Sequence, residues 1–381
     1  MKNFYKKKRI LFITQNLGRT GSEMVLWYLL KNLDQEKYAI SVFCKSMGEL
    51  YTILPDHIQT NVMYKYSPIW YDRVFRRFLK FFGIHPLNYQ LTKIQKEFKA
   101  DIWYINTIAF PEIFELEKPK GVKVITHIHE LLYAFSEIKA GVLKWVMVNS
   151  AVCIGCSDIV CEKILELDHP NVELQNSFID TETIHVDQTR IAILREELGI
   201  LPADFVWIVS GGTKYMKGLD FVLPILEHFK DENVKVIWLG SEVNNALYLY
   251  VKNVAERKYP GKLIFTGAQS KDYYNYMSIG NGFLLLSREE SFSLVMLEAA
   301  YLGIPIVAFN IGIAEQFVTD EMGVVVDGFV IKDLLLGMQS VFHRRTVDKT
   351  ALRNAAMTYS AEQQLPKYEQ LLDKITQDAM Q

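Results

Sequence analysis

Residues 282–309 contain a strand pattern, a stretch of helix length and a second strand pattern, and this order strongly restricts the folds that the chain can adopt. The apolar run Gly282–Leu286 is typical of a strand buried on both faces of a parallel sheet, and Ile306–Phe309 is a second run of the same kind. The residues between these runs have the length of one helix. Because parallel strands need such a crossover, this stretch predicts an α/β fold with helices packed on a parallel sheet.

The predicted helix in this stretch has clear start and stop signals. Ser291 or Ser293 can cap its first turn, and the helix should continue to about Leu302. Gly303 suits the left-handed residue that ends a helix, and Pro305 prevents its continuation. The helix N-terminus, with unpaired N–H groups and a partial positive charge, therefore follows a strand closely, where it can bind an anion.

The same alternation of strand and helix patterns runs through the rest of the chain. Further strands are predicted at Ile10–Thr14, Tyr38–Cys44, Ile102–Ile105, Val122–His127, Val152–Cys156, Asn171–Leu174, Phe205–Ser210, Val234–Leu239, Leu263–Thr266 and Gly323–Val326. A chain of 381 residues is too long for one ordinary core, and the turn-rich residues 176–180 separate two series. We predict two doubly wound, Rossmann-like α/β domains facing a cleft, residues 1–180 and 181–355. A C-terminal helix within residues 356–381 could pack back on the first domain.

Charge is distributed unevenly along the chain. Residues 1–100 hold 17 Lys and Arg against 7 Asp and Glu, whereas the whole chain has a net charge of −2. Such an excess indicates an anionic partner or membrane. Nucleic acid is not expected, because no nucleic-acid-binding motif accompanies the charge.

The basic region contains the segment 70–82, WYDRVFRRFLKFF, which is also rich in aromatic residues. On a helix the apolar and basic residues of this segment separate. The apolar side consists of Trp70, Val74, Phe78, Phe81 and Phe82, and the basic residues that flank it are Arg73, Arg76, Arg77 and Lys80. This pattern is typical of a helix lying in a membrane interface, and it predicts peripheral binding to an anionic surface. A core-facing helix whose charges meet water would explain the pattern about as well.

The cysteines and the N-terminus exclude other classes of protein. Cys153 and Cys156 have the spacing of a metal pair, but no second pair exists and the segment reads as a buried strand, so reduced core cysteines are expected. The basic run Lys6–Arg9 precedes only four apolar residues, which is too few for a signal peptide, and no run approaches the roughly 18 needed to span a bilayer. We expect a cytoplasmic protein, with peripheral attachment to the inner face of the membrane as a further expectation.

Two carboxylates lie where a sugar nucleotide could bind. Glu290 follows a predicted strand, and Glu298 lies one turn into the next helix, on the same face as Leu294. Carboxylates accept paired hydrogen bonds from sugar or ribose hydroxyls, and the helix N-terminus suits a diphosphate. A solvated acidic turn with a single helix glutamate would explain the same residues.

The full pattern strengthens the first interpretation. Glu290 and Glu298, with seven residues between them and then Gly303 and Pro305, resemble the Glu-x7-Glu signature of retaining GT-B glycosyltransferases, family 4 in particular (glycosyl transferases group 1). The resemblance covers roughly residues 9–33, 102–180 and 205–318. It implies an acceptor-binding first domain and a second domain that binds a nucleotide sugar.

The resemblance implies roles for residues of the second domain. Glu290 would hold sugar hydroxyls, Glu298 would hold the ribose, and the diphosphate would meet the residues Ser291, Phe292, Ser293 and Leu294. Residues 211–218 resemble the family's phosphate loop, which here offers Gly212, Lys214 and Lys217. Relatives usually carry an arginine five positions before the lysine or immediately before it, where this chain has Gly212 and Met216. Lys217 is expected to neutralise the departing diphosphate, with Lys214 as a second charge; surface lysines on a turn are the alternative.

Three weaker resemblances complete the predicted site. Gly18–Gly21 resembles the N-terminal glycine loop, which places Gly21 near the donor phosphate; an ordinary strand–helix turn is the alternative. His129 resembles the strand-end histidine that contacts a donor sugar hydroxyl in relatives, and His127 is expected to pack beneath it, although either could be purely structural. Gly267 resembles the start of the base-binding loop.

The implied reaction is a retaining sugar transfer from a nucleotide diphosphate sugar to a saccharide or lipid-linked acceptor, in polysaccharide or glycolipid assembly. No Asp-x-Asp occurs in the chain, so no metal or other cofactor is expected. A sugar-nucleotide 2-epimerase of the same fold is one alternative. A non-catalytic scaffold that binds nucleotide sugars is another, and the absent arginine favours it.

Overall fold

The computed structural model describes residues 7–344 and 348–377, without the side chains of residues 132, 376 and 377. The chain forms two compact units. One contains the residues up to Phe178 together with the C-terminal segment from Gln364, and the other is Ile179–Gln363. These divisions lie 2 and 8 residues from the predicted boundaries at 180 and 355.

The first unit is built on a parallel sheet. Its strands are β1 (Lys8–Asn16), β2 (Tyr38–Ser46), β3 (Gln59–Val62), β4 (Ile102–Ile105), β5 (Lys123–Ile128), β6 (Val152–Gly155) and β7 (Val172–Leu174). Its helices before the division are α1 (Gly21–Asn32), α2 (Trp70–Phe81), α3 (Pro86–Phe98), α4 (Leu132–Glu137), α5 (Ala140–Asn149) and α6 (Asp158–Leu165). The strand order is β3-β2-β1-β4-β5-β6-β7, so the order reverses between β1 and β4.

One strand of the first unit differs from the sequence expectations. The strand β3 is not predicted, because Gln59, Thr60 and Asn61 are polar; it lies at the edge of the sheet beside β2. Helix α1 begins at Gly21 with Thr20 as its N-cap residue, and the side chain of Glu23 accepts a hydrogen bond from the Thr20 N–H (3.0 Å).

The second unit repeats the architecture. Its strands are β8 (Phe205–Ser210), β9 (Val234–Leu239), β10 (Leu263–Gly267), β11 (Gly282–Leu285), β12 (Ile306–Phe309) and β13 (Gly323–Val326). Its helices are α7 (Gln188–Glu197), α8 (Val222–His228), α9 (Ala246–Lys258), α10 (Tyr273–Met277), α11 (Leu294–Tyr301), α12 (Ala314–Phe317), α13 (Ile331–His343) and α14 (Lys349–Met357). The strand order is β10-β9-β8-β11-β12-β13, all parallel, which is the doubly wound order. Its core includes the fully buried rings of Trp207 and Trp238.

The last helix, α15 (Ala361–Gln377), returns the chain to the first unit. The Tyr368 ring is buried there against Phe178. Glu369 forms an ion pair with Lys37 (2.8 Å), which fixes the helix near the start of β2. The first unit is therefore completed by residues from the far end of the chain.

The cysteines are all free, as the sequence predicts. Cys44, Cys153 and Cys156 are buried and Cys161 is half-buried. Burial raises the pKa of the Cys44 and Cys153 thiols to about 12, which keeps them protonated and unreactive. Over the described ranges 7–344 and 348–377, no helix is both long and apolar enough to cross a membrane.

Candidate active site

The second sheet brings two loops together at the point where its strand order reverses. Residues 211–218 follow β8 and residues 286–293 follow β11, and these two strands are neighbours in the sheet. Both loops leave from the carboxyl ends of the strands, which is where doubly wound sheets bind ligands. The predicted phosphate loop and the acidic turn therefore belong to one site.

At the centre of this site Lys217 and Glu290 form an ion pair. The Ser287 hydroxyl donates a second hydrogen bond to the same Glu290 oxygen, Oε1 (2.7 Å). The Lys217 side chain is 32% exposed and the Glu290 side chain 14%, so both remain within reach of a ligand. The sequence assigns these residues separate roles, whereas the structure shows them in direct contact.

Close backbone packing holds the two loops in place. Gly218 lies in the left-handed region (φ 76°), after a short 3₁₀ turn at Tyr215–Lys217. A Cβ atom at this position would lie 2.1 Å from the Leu286 carbonyl oxygen, so only glycine fits. This contact sets the position of Lys217, the preceding residue.

Arg288 ties the same loops together through its side chain. Its guanidinium forms a two-pronged ion pair with Asp220 (2.9 and 2.7 Å) and donates to the Tyr215 carbonyl (2.6 Å). The group also stacks on the rings of Tyr215 (3.8 Å) and Phe221 (4.5 Å). Arg288 was not among the site residues predicted from the sequence, although an arginine in the turn after a buried strand is a signal for such a contact. Arg288 therefore links the two loops, and its charge is paired with that of Asp220.

The N-terminus of α11 is strained. Ser293 occupies its N-cap position with φ 84° and ψ 78°, a left-handed conformation that is costly for a residue other than glycine. The expected side-chain cap is wrong for both serines: neither Ser291 nor Ser293 caps the helix, and the buried Ser293 hydroxyl has no hydrogen-bond partner among the described residues. Phe292 is buried and packs edge-on against Tyr359 (5.4 Å), and Leu294 is the first helical residue. A buried hydroxyl and the first N–H groups of a helix thus lie together next to Glu290 in the chain.

Glu298 lies inside α11 and is only 6% exposed. Its Oε2 accepts a hydrogen bond from the Tyr273 hydroxyl (3.0 Å), and its Oε1 accepts one from the Tyr274 hydroxyl (3.1 Å). The Tyr273 hydroxyl also contacts the Ser210 hydroxyl (2.9 Å) at the end of β8. A ribose at Glu298 would have to share the carboxylate with these tyrosines, which the sequence analysis did not identify.

The remaining donor-binding candidates of the second unit lie near the carboxyl ends of β8 and β10. Lys214 is exposed and precedes the 3₁₀ turn, and Gly212 is half-buried near Ser241. Gly267 ends β10 in a left-handed conformation (φ 70°), and its carbonyl accepts a hydrogen bond from the Gly240 N–H (3.1 Å). These residues lie in loops after strands at the same edge of the second sheet.

The first unit contains the cluster around His129. The His127 ring is fully buried, and its centroid lies 3.9 Å from that of His129. The His127 Nδ1 makes a hydrogen bond with the Tyr104 hydroxyl (2.7 Å), whereas its Nε2 has no partner among the described residues. The Nε2 of His129 lies 3.4 Å from the Asn106 Oδ1, and the Asn106 amide donates to the Ser22 carbonyl (3.1 Å).

Burial determines the charge of this cluster. It lowers the pKa of His129 to about 3 and that of His127 well below its usual value, so both rings are neutral near pH 7. If His129 donates from Nε2 to Asn106, its Nδ1 is left as an acceptor that a ligand hydroxyl can use. The adjacent Glu130 accepts hydrogen bonds from the Thr107 hydroxyl and from the His129 N–H (2.9 Å), so it holds the loop. Gly21 lies exposed at the start of α1, just before Ser22.

The second unit resembles known proteins in sequence. Residues 191–361 match the family described as glycosyl transferases group 1. The D-inositol 3-phosphate glycosyltransferase of Xylanimonas cellulosilytica is 29% identical over 170 residues, which are 43% of this chain and 40% of that protein. The match therefore spans less than half the length of this curated relative.

Solved structures resemble the chain over almost its whole length. HepE of Anabaena, solved in complex with UDP-glucose, covers 96% of this chain and 99% of its own, with a TM-score of 0.78 and 17% identity. The sucrose-phosphate synthase of Thermosynechococcus elongatus covers 98% and 100%, with a TM-score of 0.72 and 15% identity. WaaG, a glycosyltransferase involved in lipopolysaccharide biosynthesis, covers 92% and 95%, with a TM-score of 0.64 and 13% identity.

At these identities the structural likeness establishes the fold, while the family match concerns the unit that contains Lys217, Glu290 and Glu298. The two parallel sheets with their interleaved helices agree with that likeness. The chain has the GT-B fold, and its residues 191–361 match the model of the glycosyl transferases group 1 family.

Proposed function

We propose that the protein transfers a sugar from a nucleotide diphosphate sugar to a hydroxyl acceptor, with retention of configuration and without a metal ion. The observation that carries this proposal is the Lys217–Glu290 pair at the strand-order switch, just before the N-terminus of α11. A cation and a helix N-terminus together can bind a diphosphate, and a carboxylate beside them can accept hydrogen bonds from sugar hydroxyls.

The proposed reaction breaks the bond between the sugar C1 and the diphosphate oxygen and forms a bond from C1 to the acceptor oxygen on the same face. The acceptor proton passes to the departing diphosphate. Negative charge grows on the diphosphate as its bond breaks, so Lys217 would leave Glu290 and stabilise that charge, together with the α11 N-terminus. Glu290, once released, would hold sugar hydroxyls, and Glu298 would hold the ribose.

The first unit would bind the acceptor and would also contact the donor sugar through His129. His129, as a neutral ring with an acceptor nitrogen, could receive a hydrogen bond from a donor sugar hydroxyl. HepE is solved with UDP and with UDP-glucose, which supports uridine diphosphate sugars as the first donors to test. The name of WaaG supports a saccharide or lipid-linked acceptor in polysaccharide or glycolipid assembly.

The test is a product analysis of the purified protein with a panel of nucleotide sugars, each with and without candidate acceptors. Transfer or slow donor hydrolysis that survives a chelator and fails in Lys217→Ala supports the proposal. A changed sugar nucleotide formed without acceptor would identify an epimerase. If UDP-sugars bind with no turnover under any condition, the protein is a scaffold. Thermal stabilisation by each nucleotide sugar selects the donor, since ligand at 100 times its Kd adds about 2.7 kcal/mol.

A further inference from the structure

Helix α2 presents its aromatic residues to solvent instead of the core. Trp70 is 68% exposed and Phe81 is 84% exposed. Leu79 is the buried residue of this helix, with Phe75 half-buried beside it. The alternative of a core-facing helix is therefore wrong.

The exposed apolar side chains form one continuous sector, which we call the aromatic surface. It consists of Trp70, Tyr71, Val74, Phe78, Phe81, Phe82 and Ile84. Several of its rings pack on one another: Phe78 on Phe82 (4.6 Å), and Phe81 on Phe82 (5.2 Å). Isolated exposed apolar residues are common on proteins, whereas a contiguous patch marks a surface that binds something.

A basic rim borders the aromatic surface. Arg73, Arg77 and Lys80 are exposed on the adjacent sector of α2, while Arg76 is half-buried. Beyond Ile84, a shallow groove along α3 is lined by Tyr89, Lys93 and Lys96 among others. Residues 65–99 contain eight Lys and Arg against two Asp and Glu, a net charge of +6.

We propose that the aromatic surface and its basic rim bind the anionic lipid headgroups of a membrane, with α2 lying in the interface. Aromatic side chains suit the boundary between headgroups and acyl chains, and flanking arginine and lysine side chains meet anionic lipid phosphates. The inference concerns the partner of this surface and is independent of the reaction proposed for the second unit.

A second copy of the chain fits this surface poorly. A two-fold dimer would place the same patch on itself, so Arg73, Arg77 and Lys80 would meet the same cations. The segment offers only Asp72 and Glu97 as acidic partners, and Asp72 already accepts a hydrogen bond from the Ser67 hydroxyl (2.6 Å). An anionic leaflet satisfies both the charge and the apolar sector at once.

The test is co-sedimentation of the full chain with vesicles of neutral lipid alone and of neutral lipid mixed with anionic lipid. We expect binding that needs the anionic lipid and weakens as salt is raised. Each basic residue should contribute about fivefold to the partition coefficient, so Arg73→Glu, Arg77→Glu and Lys80→Glu together should lower it at least 100-fold. The matched control reverses three exposed charges of the second unit, Arg257, Lys258 and Lys332, and should bind as the unchanged protein does.

A second pair of variants tests the aromatic contribution. Phe78→Ser with Phe81→Ser should abolish binding, whereas the same change at the exposed Tyr250 and Leu336 should not. On binding, the Trp70 fluorescence should shift to shorter wavelength, and a Trp70→Phe variant should lose that shift while still sedimenting. Folding of every variant is checked by its circular dichroism spectrum and its thermal unfolding midpoint, which should match those of the unchanged protein.

Three results would overturn the proposal. The first is equal binding to neutral and anionic vesicles. The second is a concentration-dependent dimer that the aromatic variants abolish, in the absence of any lipid binding. The third is salt-sensitive binding of single-stranded nucleic acid by the same residues without binding to anionic vesicles.

Discussion

Neutralising Glu290 should have opposite effects on nucleotide binding and on turnover. In the structure Glu290 holds Lys217 in an ion pair, so the lysine must leave this partner before it can meet a diphosphate. The substitution Glu290→Gln keeps the shape of the side chain and removes its charge. We therefore expect tighter binding of UDP by this variant, together with slower sugar transfer, because the carboxylate that would hold the sugar is lost.

The magnitude follows from the exposure of the pair. Fully exposed ion pairs contribute about 0.2–1 kcal/mol, and hydrogen bonds to charged groups contribute about 1.5–3 kcal/mol. Lys217 and Glu290 are partly buried, which places the pair near 1 kcal/mol, or roughly a fivefold decrease in the Kd for UDP. Lys217→Ala should do the reverse, weakening UDP and lowering turnover about 10- to 150-fold, since its partner charge grows in the transition state.

Titration calorimetry with UDP at fixed salt measures the first effect, and donor turnover measures the second. Glu256→Gln, which removes an exposed charge on α9, is the control and should change neither. If Glu290→Gln weakens UDP as Lys217→Ala does, the two residues do not compete and the reasoning fails. A Lys217→Ala rate within about twofold of the unchanged protein would remove Lys217 from the reaction.

Four further outcomes are expected. Lys214→Ala should lower turnover less than Lys217→Ala, and an equal or larger loss in parallel assays would assign the main charge to Lys214. Glu298→Ala should weaken nucleotide binding about 10- to 150-fold by calorimetry, and unchanged affinity in a folded variant would exclude contact with the ribose. Arg288→Lys keeps the charge but loses the bidentate contact with Asp220, so UDP affinity and kcat should both fall. Adding Asp220→Asn to this variant should cause little further loss. If the two substitutions have independent, additive effects in this double-mutant cycle, Arg288 does not position the loops through Asp220. Because the pKa of His129 is lowered to about 3, the unfolded chain binds more protons between about pH 3 and 6.5. The free energy of unfolding should therefore fall as pH drops through this window, with a contribution from His129 of up to about 1.4 kcal/mol per pH unit. His129→Gln should remove that contribution and leave the one from the buried His127.

Most strands of both units were predictable because they are short apolar runs bounded by turn residues. Ile102–Ile105, Phe205–Ser210 and Val234–Leu239 have the predicted bounds in the structure. Edge strand β3 was not predictable, since a strand that is only partly buried needs no apolar run. Strand prediction therefore succeeded wherever burial on both faces dictates the residue types.

Within the candidate site, the sequence indicated which loops matter but not how their side chains pair. Glu290 and Lys217 are 73 residues apart in the chain, and their contact depends on β8 and β11 being neighbours. The contacts of Tyr273 and Tyr274 with Glu298 were also not predictable, because two adjacent tyrosines in α10 could equally be core residues. The conformation of Ser293 was also unpredictable, since its φ of 84° depends on the surroundings of the turn.

The path of α15 has a consequence for how the protein is made. The hydroxyl of Tyr368 lies 3.5 Å from the Nδ1 of His127, so the layer beneath His129 includes a residue that is translated after the whole second unit. The second unit, Ile179–Gln363, can assemble while the first still lacks this cover. A nascent or truncated chain ending before α15 would leave the buried pair Tyr104 and His127 open to water, and the first unit should reach its final packing last despite being translated first.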